Sequence, residues 1–428
     1  MPQDLSYVLL LFVLFVVPRF LQRYRLPGAV TALALGVAAT ALGLFQHDGT
    51  IALMSTFGIV ALFLFAGLDV DLEALKPDAR VLGQHLAIWS LTLALLTTAA
   101  TLVFHLAVRE AALVGLALIT PSTGFILDSL DLFGLSASEK RWTKSKAIAS
   151  ELLALIMMFL VLQSDSARKL GLSVLALIGL IVALPPIFRW FASRIAPFAP
   201  RSEFAFLLMV AVVAASATRR LGVYYLVGAF VVGLAARQFR ARLPAMSSER
   251  MLGAVEAFAS FFVPFYFFHA GQFISHDDLN LPMLLTGLAL LMIFVPIRLG
   301  EVILHRWVAL RERPEKSLRI GVALLPTLVF TLVIVDILRS RPGVSPVLLG
   351  ALVLYTTLIT LLPGLILRVP AIDYTSIHLV PIEPPPDSSI GGMAPEWRRG
   401  AQPGPPAQPG ESSGSGGEES GAPARIRP

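Results

Sequence analysis

The sequence predicts an all-α polytopic membrane protein with about 13 transmembrane helices, in two inverted six-helix repeats with two broken crossing helices. The chain is 56% hydrophobic and only 14% charged, whereas soluble domains carry about 25% charged residues. Apolar windows of about 20 residues, long enough to span a bilayer, recur to about residue 368. Two of these windows are interrupted by a proline that lies among hydroxyl side chains.

The predicted transmembrane domain covers residues 1–370. Its helices are expected over 5–19, 27–46, 51–69, 82–106, 109–130, 144–163, 169–193, 203–221, 223–239, 253–274, 281–304, 317–338 and 345–367. Short connections favour antiparallel packing of neighbouring helices. The first window lacks a basic leader and a small-residue cleavage site, so we expect it to be a span and not a removed signal peptide.

Residues 371–428 have a different composition, rich in Pro, Gly and Ser with few large apolar side chains. Such a segment buries too little surface to fold, so a disordered tail is predicted. It contains no Gly-rich phosphate-binding fingerprint, so we expect no nucleotide-binding domain there.

The residue types also exclude several function classes. The chain has no cysteine, which excludes disulfides, thiol catalysis and Cys-based metal sites. No nucleophile–base pair, metal cluster or phosphate loop is apparent, so neither an enzyme nor a resident cofactor is predicted. The formal charge of +6 fits the basic loops of a polytopic protein and needs no nucleic-acid partner.

The orientation follows from the Lys and Arg residues of the short loops. They concentrate in one alternating set of loops, of which 140–146, 237–250 and 306–319 are the most basic. Because the basic loops of membrane proteins stay in the cytoplasm, we expect the N-terminus outside and the C-terminus in the cytoplasm.

The two interrupted windows predict broken helices. Pro121 lies near the middle of the fifth window and Pro326 near the middle of the twelfth. A proline inside a helix removes a backbone hydrogen bond and opens the preceding turn. The hydroxyl side chains beside the two prolines are Thr120, Ser122, Thr123 and Thr327. Freed carbonyls and these hydroxyls are candidate ligands for a cation, although such residues also occur as ordinary kinks in membrane helices.

The positions of the two breaks predict the repeat. The fifth and twelfth windows are seven spans apart, so the two helices cross the membrane in opposite directions. Spans one to six and eight to thirteen then form two inverted halves, connected by span seven. Inverted halves with one broken helix each are typical of secondary transporters with a site near the bilayer midplane.

One carboxylate lies inside an apolar run of the sixth window, AIASELLALIMMFL, at Glu151. A charged residue at a helix centre costs about 2.5–3.5 kcal/mol on insertion scales, so a function for it is expected. A carboxylate that binds either a proton or an alkali cation could exchange one for the other. A structural alternative is a buried pair with Arg298 or Lys146.

Four segments resemble the monovalent cation:proton antiporter superfamily, and most closely its bacterial sodium/proton exchangers and potassium efflux systems. They are PGAVTALALG, FGIVALFLFAGLDVDLEALKP, LVGAFVVGLAAR and FFVPFYFFHAG. The resemblance covers about residues 5–367. It implies a homodimer in which the helices around the breaks move against a scaffold.

The resemblance also implies site residues. The span after the first broken helix carries an Asp in this family, preceded by Asn, Asp or Gln, and the spacing from Gly134 places Ser150 and Glu151 there. This chain departs from the pattern, because its carboxylate is one methylene longer and its neighbour is a hydroxyl. The basic residue of the eleventh span corresponds to Arg298. The resemblance implies that it offsets charge near the crossing and can pair with Glu151 when no cation is bound. An intrahelical pair of Arg298 with Glu301 is the alternative.

His269 lies in the tenth window, in FFHAGQF, and titrates near neutral pH in its ordinary state. It is a candidate pH sensor, with a packing role as the alternative. Asp69, Asp71 and Glu73 follow the third window and are expected to cap and solvate that loop, with a funnel that attracts cations as the alternative.

These observations predict a multi-pass protein of the bacterial inner membrane that exchanges protons for Na⁺ or K⁺ by alternating access. One alternative is a carrier of an organic solute on the same fold. Another is a relative that no longer transports and acts as a sensor or assembly partner.

Overall fold

The computed structural model describes residues 3–45, 48–130, 133–164, 166–199, 202–220, 226–240, 249–274 and 279–367. These residues form helices and connecting turns, without a strand among them. All of them lie in one compact unit, Met1–Ile382. The predicted tail over 371–428 lies outside the described residues.

Sixteen α-helices follow one another along the described chain. They are α1 Gln3–Gln22, α2 Gly28–Ala41, α3 Gly49–Asp69, α4 Leu72–Leu75, α5 Ala79–Phe104, α6 Val108–Ile119, α7 Thr123–Ser129, α8 Ala137–Gln163, α9 Ala167–Arg194, α10 Glu203–Arg220, α11 Leu226–Arg240, α12 Glu249–Gln272, α13 Leu281–Leu310, α14 Pro314–Ala323, α15 Leu328–Arg339 and α16 Pro346–Ile366. A 3₁₀ turn, Lys76–Asp78, joins α4 to α5.

Every predicted window contains a helix or a broken pair of helices. The fifth window holds α6 and α7, and the twelfth holds α14 and α15, so both predicted breaks are present. Nine segments of the described chain are long and apolar enough to cross a membrane, or ten if α14 and α15, bent by 52°, count as one crossing. The chain is therefore a multi-pass helical membrane protein. The number thirteen and the inverted repeat remain predictions.

The interpretation of 140–146 as a loop is wrong. Helix α8 begins at Ala137, where the Ser136 side chain and Glu139 form a capping box that satisfies the first backbone N–H groups. Lys146 therefore lies inside a helix and is only 4% exposed. A buried ammonium in a span is a feature of the protein interior and not a topology signal.

A scaffold bundle is formed by α1–α3 and α9–α12. Its helices approach closely at glycines: a Cβ at Gly67 or Gly233 would collide with the backbone of the facing helix at the crossing of α3 and α11. Gly36 and Gly271 have the same relation where α2 meets α12. Small residues at such crossings allow the backbone-to-backbone packing that holds helices together in lipid.

A crossing bundle is formed by α5–α8 and α13–α16. It contains both broken helices and, at its centre, buried polar and ionisable side chains from α5, α8 and α13. The candidate site lies in this bundle, at the side that faces α3 of the scaffold bundle.

Candidate ion and proton site

The two broken helices meet and satisfy each other's backbone. Helix α6 ends at Ile119 and α14 at Ala323, so the peptides after each end lack helical partners. The backbone N–H of Ser122 donates to the carbonyl of Pro326 at 2.8 Å. The Ser122 hydroxyl accepts from the backbone N–H of Val329 at 3.1 Å. Each break thus supplies what the other lacks, which allows irregular backbone at membrane depth.

Hydroxyl groups brace the crossing from neighbouring helices. The Thr331 hydroxyl donates to the carbonyl of Ala117 at 2.7 Å, and the Tyr355 hydroxyl donates to the carbonyl of Leu118 at 2.7 Å. The Thr327 and Thr356 hydroxyls lie 2.8 Å apart. These bonds fix the end of α6 against α15 and α16.

Arg298 closes the end of α14. Its two terminal nitrogens donate to the carbonyls of Leu324 and Leu325, both at 2.7 Å, and the residue is 7% exposed. A cation at a helix C-terminus also opposes the partial negative charge of the helix dipole. The expected pairing of Arg298 with Glu151 is therefore not present in this structure, because the guanidinium is occupied by the carbonyls that the break leaves free.

Glu151 lies at the start of α7, the second half of the first broken helix. Its Oε2 accepts from the backbone N–H of Thr123, the first residue of α7, at 3.2 Å. The residue is 9% exposed. The partial positive charge of a helix N-terminus favours an anion at this place. The crossing of the two broken helices thus has a carboxylate at the positive end of α7 and a guanidinium at the negative end of α14.

The Glu151 cavity has a volume of about 50 Å³ and lies between the two bundles. Ser122, Thr123 and Asp69 line it together with Glu151. Carboxylate, hydroxyl and carbonyl oxygens are hard donors, and hard cations prefer oxygen ligands. The described residues contain no cluster of three or more His, Asp or Glu side chains arranged to hold a resident metal.

The position of Asp69 differs from the predicted loop position. We expected it to solvate a loop, but it is the last residue of α3, half-buried, and it lines the Glu151 cavity. The loop role belongs to Asp71, which forms an ion pair with Arg237 at 2.8 Å. A carboxylate directly at the end of a 21-residue apolar helix was the available signal.

A second cavity of about 30 Å³ lies elsewhere in the crossing bundle and shares no lining residue with the first. Five of its lining residues are polar or ionisable: His85, Lys146, Ser150, Arg298 and Glu301. His85 Nε2 lies 2.8 Å from the Ser150 hydroxyl, and His85 Nδ1 lies 3.4 Å from Oε1 of Glu301. His85 was not among the predicted site residues, and Glu301 was predicted only as an intrahelical partner of Arg298.

His269 belongs to a third region. It lines a cavity of about 380 Å³ between the same two bundles, together with Tyr266, Asp336 and Arg339. Its Nδ1 lies 3.2 Å from the Gln272 amide oxygen. The structure therefore does not bring His269 to the Glu151 cavity.

The predicted site residues divide into groups. Ser122 and Thr123 share a cavity with Glu151, whereas Ser150 and Arg298 face the second cavity. Thr120 is fully buried, and its hydroxyl has no hydrogen-bond partner within the described chain. The Thr327 hydroxyl is hydrogen-bonded to the Thr356 hydroxyl.

Comparison with protein families gives a match over most of the chain. The model of the family described as "Sodium/hydrogen exchanger, transmembrane" matches residues 9–372.

Two curated relatives are similar to parts of the chain. The Na(+)/H(+) antiporter NhaS5 of Synechocystis sp. is 27% identical over 324 residues, which is 71% of this chain and 44% of that protein. The probable Na(+)/H(+) antiporter 3 of Methanocaldococcus jannaschii is 30% identical over 76 residues, 17% of this chain and 20% of that protein. The matched part of this chain thus spans less than half the length of either relative.

Among solved structures, the sodium proton antiporter MjNhaP1 of Methanocaldococcus jannaschii superposes with a TM-score of 0.60. The match covers 86% of this chain and 97% of that chain, at 15% identity. At this identity the likeness establishes a shared fold.

Proposed function

This chain belongs to the sodium/hydrogen exchanger family, and from that premise we propose that it exchanges protons for Na⁺ across a membrane at Glu151. The observation that carries the proposal is the position of this carboxylate. It is buried, it contacts the N-terminus of a half-helix, and it faces a cavity lined by hydroxyls and a second carboxylate. An intramembrane ionisable side chain in such a cavity is typical of ion and proton pathways.

Competition at one carboxylate supplies the coupling. A cation next to Glu151 stabilises the ionised carboxylate, whereas a dry cavity without a cation favours the protonated form. The two ligands therefore exclude each other. Ser122 and Thr123 are the candidate oxygen ligands beside it, and Asp69 lies at the same cavity.

Alternating access is supported by the positions of two cavities between the bundles. The Glu151 cavity lies at the end of α3 and the larger one near its beginning, beside Ala52 and Ser55. We propose that the crossing bundle moves against the scaffold bundle and exposes Glu151 to each side in turn.

The size of the Glu151 cavity favours a small ion. The volume of about 50 Å³ is less than that of two water molecules, which occupy about 30 Å³ each in the liquid. An organic-solute carrier needs a larger site, since ligand pockets have volumes of about 300 Å³ or more. Sodium is the cation that the relatives' names give, and potassium is the competing choice.

We further propose the setting that the sequence predicts: the bacterial inner membrane, with the N-terminus outside and a homodimer as the working unit. Apolar side chains on α1 support a helix that faces lipid or a second copy. Among them Val8 and Phe12 are each 60% exposed.

The test uses the full chain, purified and reconstituted into proteoliposomes with a trapped pH-sensitive dye. Na⁺, K⁺ or Li⁺ is added outside, and Glu151→Gln is compared with the wild type. Glu203→Gln, a change of the same kind in the first turn of α10, is the control.

We expect a Na⁺-dependent pH change that Glu151→Gln reduces by about 100-fold or more, a loss typical for removal of a proton-transfer group. The control should leave it unchanged. A response to K⁺ alone would show that K⁺, and not Na⁺, is the transported cation. Exchange that survives in Glu151→Gln would refute the proposed site.

A further inference from the structure

The second cavity contains ionisable side chains that competition at Glu151 does not need. On α13, Arg298, Glu301 and His305 recur at helical spacing and face the same side. Arg298 is 7% exposed, His305 is 2% exposed, and the Glu301 side chain is 10% exposed. Buried ionisable groups on a membrane helix are costly. Arg298 is bonded to the backbone carbonyls of Leu324 and Leu325. His305 interacts with the backbone of Val81, whereas no backbone contact within the described chain explains Glu301.

His85 joins this helix to α8. Its Nε2 is within hydrogen-bond distance of the Ser150 hydroxyl, at 2.8 Å. Its Nδ1 lies 3.4 Å from the Glu301 carboxylate, an ion-pair distance at which no hydrogen bond is formed in this structure. An imidazole can accept a proton at one nitrogen and release one from the other. In hydrolases, a carboxylate, an imidazole and a hydroxyl in this order move a proton off the hydroxyl. Ser150 is 1% exposed, so no large substrate reaches its oxygen and the arrangement is suited to proton transfer alone.

Lys146 gives a second, independent observation. It is 4% exposed, it lines the same cavity, and its ammonium has no hydrogen-bond partner within the described residues. An ammonium without hydrogen bonds is costly in a dry interior. A cavity of about 30 Å³ is large enough for a water molecule, and Glu301, His85 and Ser150 supply polar partners for it.

The polar column continues from His85 towards the ends of α13 and α14. The rings of His85 and His305 have centroids 5.7 Å apart. The next residue, Arg306, forms an ion pair with Glu312, whose side chain is 33% exposed. Ionisable groups are thus spaced between Ser150 and the surface where α13 ends and α14 begins. We call this part, which contains Arg306 and Glu312, the basic end of the bundle.

We propose that Ser150, His85 and Glu301 carry protons between Glu151 and this basic end, while the cation reaches Glu151 through the cavity that Asp69 lines. The proposal rests on the proposed function and adds a separate path for the proton. Ser150 and Glu151 are consecutive residues of α8, but their side chains line different cavities. The proposed transfer between them therefore requires a movement of the crossing peptides that joins the two cavities.

Each transfer conserves protons and charge. Glu151 gives its proton to the Ser150 oxygen as the Ser150 hydroxyl proton passes to Nε2 of His85, and the proton on Nδ1 passes to the ionised Glu301. Glu301 then releases one proton. Before the next transfer, the proton on Nε2 has to move back to Nδ1 through water in the cavity. The ionisable side chains that line this cavity with Glu301 are Lys146, Arg298 and His85, and the Lys146 ammonium also interacts with the charge of Arg306. Tight coupling requires that this path be interrupted when Glu151 faces the other side.

The experiment separates proton movement from cation movement. Proteoliposomes containing the full chain are assayed for Na⁺-driven pH change and, at equal pH on both sides, for exchange of radioactive Na⁺ against unlabelled Na⁺. The second reaction needs cation binding and access to both sides but no proton transfer. The variants are His85→Gln, which retains a hydrogen bond to Ser150, and Glu301→Gln. Ser145→Ala, at another buried serine of α8, is the control.

We expect both variants to slow the Na⁺-driven pH change by about 10-fold or more and to leave Na⁺/Na⁺ exchange within about twofold of the wild type. Ser145→Ala should leave both reactions unchanged. An equal loss of both reactions would show a structural role, and no loss of either would show that protons use another path. Either result overturns the inference but not the exchange function. Absence of both reactions in the wild type would overturn the proposed function itself.

Discussion

The scaffold bundle and the crossing bundle are held together by different contacts. In the scaffold, α3 meets α11 at Gly67 and Gly233, where one backbone lies directly against the other. In the crossing bundle, buried side chains complete the backbone of two broken helices, as Arg298 does for α14. Only the second kind of contact brings charges into the interior, where the Glu151 carboxylate accepts a hydrogen bond from the backbone N–H of Thr123.

The difference teaches where tolerance to substitution should lie. A scaffold built on close backbones is sensitive to side-chain volume and insensitive to charge, because few of its buried groups are ionisable. The crossing bundle should show the opposite behaviour. The following predictions test this contrast.

Gly67→Leu should have the largest effect. The new side chain would collide with the backbone of Phe230, and overpacking of this kind costs about 3 kcal/mol or more when neither backbone can move. Gly179→Leu on α9, where a Cβ meets nothing within 4 Å, is the matched control. Thermal unfolding and yield in detergent should fall for Gly67→Leu alone. Equal behaviour of the two variants would mean that α3 and α11 are not closely packed.

Arg298→Met should destabilise the protein by about 2–4 kcal/mol, since two buried carbonyls lose their donors. Arg237→Met in the scaffold removes a comparable pair of bonds, to Leu68 and Asp71. The Arg237 side chain is 22% exposed, so water can replace it, and a loss of about 1 kcal/mol or less is expected. Thermal unfolding of both variants measures which one loses more stability. A larger loss of stability for Arg237→Met than for Arg298→Met would contradict the prediction.

Asp48→Asn should have the smallest effect, and one that depends on pH. Asp48 caps α3 and lies 2.5 Å from the Tyr7 hydroxyl. Burial raises the pKa of this carboxyl, but hydrogen bonds from Tyr7, Ile51 and Thr50 outweigh it, so the pKa lies below its ordinary 3.8. Stabilisation by a group whose pKa falls on folding is present above the unfolded-state value and is lost as the pH falls through the folded-state value.

The wild type should therefore exceed Asp48→Asn in stability at pH 7 by about 0.5 kcal/mol or less, as for a carboxylate largely in solvent. The difference should shrink below about pH 3.8. Unfolding temperatures of both proteins at pH 7 and pH 3.5 measure it. A difference that grows at low pH would contradict this account of the cap.

Much of the fold could be predicted from local sequence. Pro121 and Pro326 predicted both helix breaks, because proline removes a backbone donor wherever it lies in a helix. Windows of apolar residues located the helices for a similarly local reason. The predicted start of the sixth window, residue 144, was too late because the basic residues before it suggested a loop, whereas the capping box at Ser136 and Glu139 lies further upstream.

The candidate site was predictable only in part. Glu151 was recognisable because a lone carboxylate in a span is costly. The partners of Glu151 and Arg298 were not, since the sequence shows which charges exist but not that backbone groups at the breaks satisfy them. Asp69 was assigned to a loop and His85 was not considered, because both lie far from Glu151 in the sequence and reach the crossing bundle only when the helices pack.

The sequence by itself therefore determined that this chain is a helical membrane protein with two broken spans and a buried carboxylate, because helix periodicity, proline chemistry and hydropathy act over a few residues. Only the tertiary structure decided which groups share a cavity. It separated Glu151 and Asp69 from Arg298, Lys146, His85 and Glu301, because the crossing peptides lie between α3 on one side and α5 and α13 on the other. Distances between helices depend on packing of the whole bundle, which no single stretch of sequence contains.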